Sequence, residues 1–185
     1  DNGKLLIVGC RYIREHEIAY IDEVKRTLRD EGVSDRVTLM DIQKDVRRFY
    51  LAADVVVVPS YNEVLPLVVC EAMGFERPIL ASNIDGIPEA VTHGEEGFLF
   101  PKGDHDQLCE HLLDIYRNPD KARTMGEKGR ARVLSQFGFP AMGREYKELI
   151  QSAIQSARVS HSALRRSVDR KEPEGISPPE EEEDG

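Results

Sequence analysis

The sequence predicts an α/β protein built on a doubly wound parallel sheet. Three observations carry that prediction. Short apolar, β-branched runs alternate along the chain with longer amphipathic stretches, the order of strands and crossover helices. Val55-Val56-Val57-Val58 is apolar on both faces and too short for a helix, as a strand buried from both sides would be. That run is followed at once by the breaker Pro59-Ser60-Tyr61-Asn62 and then by Pro66, which suits the first turn of a new helix because its missing N–H costs nothing there.

The elements follow in order. Lys4 to Gly9 reads as a strand that ends in glycine. Glu15 to Asp30 reads as an amphipathic helix with Ile18, Ile21 and Leu28 on one face, stopped by Gly32. Val37 to Met40 is the next strand, and Asp45 opens a short helix to Ala52 whose Val46, Phe49 and Tyr50 face the core. The valine strand and its helix come next, then a strand over Pro78–Ser82 and a short helix begun by Asp85-Gly86-Ile87-Pro88-Glu89. Gly97 to Phe100 is a short strand. Asp104 with Gln107 forms a capping-box-like start to a helix over His105–Arg117. Asn118-Pro119 ends that helix and starts another, which Gly126 and Gly129 weaken; Phe137-Gly138-Phe139-Pro140 breaks it, and helix returns from Met142 to Ala157. His93, His105 and His111 are assigned no role.

The chemistry concentrates on Asp54 to Gly74. In a parallel sheet, ligands sit beyond the carboxyl ends of the strands, and the open N–H groups at a helix start favour an anion such as a phosphate. Glu63 in the loop and Glu71 about a turn inside the helix flank that start. Like charge makes neither a phosphate ligand, but a carboxylate accepts hydrogen bonds from a vicinal diol. The ligand that fits has phosphate in its middle and hydroxyl-rich sugars on both sides. Gly9-Cys10-Arg11, by contrast, lacks the further glycines of a dinucleotide-binding turn.

Pro59-Ser60, Glu63, Glu71-Ala72-Met73, Arg77 to Ser82 and Asp85 to Val91 occur together in this order. From about Lys4 to about Ala153 the chain resembles the donor-binding domain of retaining GT-B glycosyltransferases, closest to family 4, the glycosyl transferases group 1. The resemblance implies a Rossmann-like domain over residues 1–157, the C-terminal half of a GT-B fold. It implies that Glu71 binds the ribose of a nucleotide-sugar donor and that Glu63 faces the transferred sugar as the catalytic residue. The backbone amides of Val64, Leu65, Leu67 and Val68 then approach the diphosphate, and the Asp85-Gly86 loop borders the site. It implies transfer to an acceptor hydroxyl with retention, no cofactor and no metal. It further implies a separate N-terminal acceptor-binding domain as partner, without which this chain alone is expected to be inactive. Two departures stand out. Pro66 removes one amide from the phosphate seat, and no basic pair matching the family's is found; Arg11 and Lys102 are basic but do not match by motif.

The net charge of the 185 residues is −9, yet residues 172–185 hold seven acids and no base, leaving −2 on the rest. A nearly neutral body has no basic excess for nucleic acid. Residues 158–185, rich in Ser, Arg, Pro and Glu, read as a disordered acidic tail. No apolar run has membrane-spanning length, which leaves peripheral membrane contact open. Cys10, Cys70 and Cys109 are widely spaced and read as reduced thiols in a cytoplasmic setting. Two other readings fit the same residues: a non-catalytic binding or scaffold module with weakened phosphate contacts, and a related nucleotide-sugar epimerase.

Overall fold

The computed structural model describes residues 3–10 and 13–169, with side chains to residue 157. Five strands and seven α-helices alternate among these residues: β1 (Leu5–Val8), α1 (Glu15–Asp30), β2 (Val37–Met40), α2 (Arg47–Ala52), β3 (Val56–Val58), α3 (Leu67–Gly74), β4 (Ile79–Ser82), α4 (Ile87–Ala90), β5 (Gly97–Phe100), α5 (His105–Arg117), α6 (Pro119–Arg132) and α7 (Phe139–Asp169). Every strand pairing is parallel, as the βαβ alternation requires.

The strands form two sheets rather than one continuous sheet: β1 pairs with β2, and β3-β4-β5 run in that order. No described strand lies between β1 and β3, so each keeps an unpaired edge. The three-stranded sheet is covered on both faces. Residues alternate across it, so Ile79 and Ala81 point to one side with Val58, Val69, Met73, Ile87 and Val91, under α3 and α4. Leu80 points to the other with Phe98, Phe100, Ile115 and Met125, under α5 and α6. This two-sided cover is the doubly wound arrangement.

Three local features sharpen the sequence reading. Gly126 and Gly129 sit inside α6, which is helical through Arg132. A Cβ at Gly126 would lie 2.1 Å from the Glu76 carbonyl oxygen, and one at Gly129 would lie 3.3 Å from the Met73 side chain. Both glycines therefore let α6 close on the end of α3. The break falls at extended Gly138, where the sequence places it, after a π-helical turn over Val133–Phe137. Finally, α7 continues to Asp169, past residue 157 where the tail was expected to begin. The remainder of that acidic stretch, 170–185, lies outside the described residues.

A largely buried ion pair, Glu96 with Arg132, ties α6 to the segment between α4 and β5. Glu96, 7% exposed, accepts from the Thr92 N–H at 2.7 Å and from an Arg132 guanidinium nitrogen at 3.2 Å. Arg132 also donates to the Thr92 hydroxyl at 2.6 Å and the Glu89 carbonyl at 2.8 Å.

Candidate donor-binding site

The valine strand leads into the candidate segment, although β3 proper covers only Val56–Val58 and of these only Val58 is buried. At its carboxyl end, Ser60 to Leu65 form a loop and α3 begins at Leu67. Pro66 is not in the first helical turn. It is the residue before it, with φ −70 and an extended ψ of 125. Its carbonyl accepts from the Val69 N–H at 3.0 Å, which consumes the third amide of the helix. The amides of Leu67 and Val68 make no hydrogen bond among the described residues, nor do those of Val64 and Leu65 ahead of Pro66. Four unpaired N–H groups thus bracket a proline at the positive end of a helix dipole. Val64 and Leu67 are 86% and 76% exposed, so water or a ligand reaches this segment.

Glu63 and Glu71 are held from different neighbours. Glu63 takes a hydrogen bond on Oε1 from the Ser60 hydroxyl at 3.3 Å, and its own N–H donates to Asp85 Oδ2 at 2.9 Å. Gly86 packs directly on the loop: a Cβ there would fall 1.9 Å from the Val64 carbonyl oxygen. The turn after β4 is therefore joined to the loop after β3. Glu71 instead accepts from the Tyr50 hydroxyl at 2.7 Å. Tyr50 stacks on Phe75 with ring centroids 5.3 Å apart, which braces its ring against the far end of α3.

The electrostatics follow from these contacts. Burial, then the hydrogen bond to Glu71 and that group's charge, push the Tyr50 hydroxyl well above its ordinary value, so it stays a proton donor. Burial, then the Glu71 charge, push the Cys70 thiol up, which keeps it a neutral thiol beside the site. Lys102 donates from Nζ to the Tyr61 carbonyl at 3.3 Å and lies 5.9 Å from the Tyr61 ring centroid. Ser82, the last residue of β4, has a buried hydroxyl with no hydrogen-bond partner among the described residues. No cluster of three or more metal-ligating side chains forms among those residues.

Sequence reasoning nominated the two acids, the amide-bearing segment and Gly86, and the fold gathers the amide segment, Glu63 and Gly86 around one loop. It read Tyr50 as a core aromatic, and it placed Asp85 in the loop bordering the site without its bond to the Glu63 amide. It set Lys102 aside for want of a motif, yet the fold carries its ammonium to the loop. None of the three had a local signal, because each contact spans more than 20 residues of chain.

A family model described as glycosyl transferases group 1 matches residues 1–132. The chain is 27% identical over 153 residues to N-acetyl-alpha-D-glucosaminyl L-malate synthase of Bacillus anthracis, covering 83% of this chain and 38% of that protein. It is 34% identical over 116 residues to D-inositol 3-phosphate glycosyltransferase of Streptomyces coelicolor, covering 63% of this chain and 25% of that one. Among solved structures, sucrose-phosphate synthase from Thermosynechococcus elongatus superposes with a TM-score of 0.72 at 34% identity, over 81% of this chain and 39% of that one. Anabaena HepE in complex with UDP superposes with a TM-score of 0.76 at 24% identity, over 81% of this chain and 41% of that one, a likeness of fold. The chain spans about two fifths or less of the length of these relatives. The Rossmann-like α/β fold is that of GT-B glycosyltransferases, and the chain belongs to the glycosyl transferases group 1 family.

Proposed function

We propose that this chain is the donor-binding half of a glycosyltransferase, which transfers a sugar from a nucleotide diphosphate to an acceptor hydroxyl with retention of anomeric configuration. One observation carries the reading: four unpaired amides, from Val64, Leu65, Leu67 and Val68, sit between two carboxylates on one strand–loop–helix unit. The amides face the diphosphate, Glu71 accepts from the ribose hydroxyls, and Glu63 contacts the transferred sugar. As the bond from the anomeric carbon to the diphosphate breaks, negative charge grows on the departing oxygen. Preoriented N–H groups and the helix dipole stabilise that charge more than they stabilise the bound donor, which is what accelerates transfer. Lys102 adds a cation at the same loop. No covalent intermediate is invoked.

The acceptor site belongs to a second half of the molecule. The exposed apolar residues Tyr146, Leu149, Ile150 and Ile154 along α7 fit a surface covered by that half. Three free cysteines suit a reducing, cytoplasmic compartment. No described helix is long and apolar enough to cross a membrane.

HepE, a relative in fold, was solved with UDP and with UDP-glucose, which makes uridine donors the first to test. Calorimetry with uridine, guanosine and adenosine diphosphosugars identifies the base, and NMR of the glycoside made by the full-length protein reads the anomer. One tight nucleotide class and a retained anomer are expected. A product with inverted configuration, or binding of no nucleotide sugar, contradicts the proposal.

A further inference from the structure

The loop that carries Glu63 is held differently from the rest of the fold. Among the described residues, no main-chain group from Tyr61 to Leu65 bonds to another main-chain group. Side chains must then fix its shape. Of the ties involved, the Asp85 carboxylate on the Glu63 N–H is the shortest, at 2.9 Å, and it crosses 22 residues of sequence. The others are Ser60 to Glu63 and Lys102 to Tyr61, each 3.3 Å.

Asp85 makes that bond from a backbone conformation that L residues avoid. Its φ is +46, in the left-handed region; among the described non-glycine residues only Glu76, at +58, shares a positive φ. Asp and Asn are the side chains that tolerate it best. The turn is anchored on both sides. The Asn83 N–H donates to the Phe100 carbonyl at 2.7 Å, and Ile87 is fully buried with its N–H on the Ile84 carbonyl at 3.1 Å. Next to Asp85, Gly86 meets the Val64 carbonyl so closely that a Cβ would lie 1.9 Å from it. Two adjacent residues of a strained turn therefore grip two adjacent residues of the loop, one by a charge-assisted hydrogen bond and one by bare backbone contact.

We propose that Asp85 is the positioning residue for Glu63. By occupying the Glu63 N–H it fixes the backbone from which the Glu63 side chain projects and keeps that amide out of the phosphate seat. The donor's sugar then meets a carboxylate held in place before binding, while the diphosphate is left to the four unpaired amides. The inference rests on the donor-site reading above and assigns Asp85 to the sugar end of that site alone.

The test compares Asp85→Gly, which relieves the strained φ but removes the acceptor, with Asp85→Asn, which keeps an acceptor oxygen and tolerates the same φ. Amide hydrogen exchange in the 185-residue chain needs no ligand. The Glu63 amide is expected to be protected in wild type and Asp85→Asn, and to exchange on the order of tenfold faster in Asp85→Gly. An unprotected Glu63 amide in wild type overturns the proposal. Calorimetry then uses UDP, GDP or ADP, whichever binds wild type, and its glucose ester. Asp85→Gly is expected to keep the affinity for the bare nucleotide and to lose on the order of tenfold of the gain that glucose adds. Equal losses for both ligands would mean a merely structural role and overturn the positioning claim. An unchanged gain overturns it as well. Wild type that binds none of the nucleotides contradicts the donor-site reading itself, while the exchange result still judges the Asp85 bond.

Discussion

β1 and β4, Leu-Leu-Ile-Val and Ile-Leu-Ala-Ser, are both four-residue strands that open on two large aliphatic side chains, and they meet opposite fates. Ile79, Leu80 and Ala81 are completely buried, whereas Leu5, Leu6 and Ile7 are 47%, 43% and 36% exposed. Strand composition does not account for this. β4 has a strand on each side and helices over both faces, while β1 has β2 on one edge only. A strand's burial is a property of its neighbours. The proposed donor site sits at the end of the well-packed sheet, where a rigid frame can hold the amides, Glu63 and Gly86 in register.

The sharpest way to break this comparison is to cut the same side chain from both strands. Leu80→Ala removes a buried side chain from the α5–α6 face and is expected to cost about 3 kcal/mol. Leu6→Ala should cost below about 1 kcal/mol, because much of its surface is already in water. Urea denaturation of both variants checks the contrast; equal losses would mean that the two sheets share one core. Arg132→Ala comes next. It leaves Glu96 buried without its cation and frees the Glu89 carbonyl, and an expected loss of about 2 kcal/mol, discounted for the partial exposure of Arg132, reads as a lowered denaturation midpoint. A loss no larger than that of a surface Lys or Arg would show that α4 is not held this way.

Tyr50→Phe touches the site rather than the frame. The ring stays stacked on Phe75, and only the hydroxyl on Glu71 is lost. Stability should change little, while nucleotide affinity falls by about 1 kcal/mol, roughly fivefold, by calorimetry. Stronger binding would mean instead that the hydroxyl competes with the ribose for Glu71. The smallest effect expected is at His111, stacked on Phe98 with centroids 4.5 Å apart. Burial, then the neighbouring His93, hold its pKa below the ordinary histidine value of 6.5. The unfolded chain therefore takes up the proton first as pH falls. The stabilising contribution of the neutral ring is complete above 6.5 and is lost as pH falls through the lower folded value. His111→Leu should flatten that part of the stability profile; an unchanged profile assigns it to other groups.

Much of this was legible in the chain. Glu15–Asp30 and Val37–Met40 have the predicted ends, because caps, glycine and periodicity are local signals. The two acids and the amide segment were legible because strand, breaker and helix start are written consecutively. What was hidden depends on residues far apart in sequence. Gly126 reads as a weak point of its helix until the Glu76 carbonyl lies against it. Tyr50 reads as core until its hydroxyl meets Glu71. Asp85 reads as a turn residue until the Glu63 amide is placed beside it. Pro66 was misplaced by one residue, since a proline is acceptable both at the first helical position and just before it.

The central claim is that Glu71 and the unpaired amides beside it seat a nucleotide diphosphate. The most direct measurement is a calorimetric titration of the tightest-binding nucleotide sugar into wild type and Glu71→Ala. The expected result is saturable binding to wild type and a loss on the order of tenfold or more in Glu71→Ala, with the folded state intact by circular dichroism. Equal affinities in the two proteins would contradict the account.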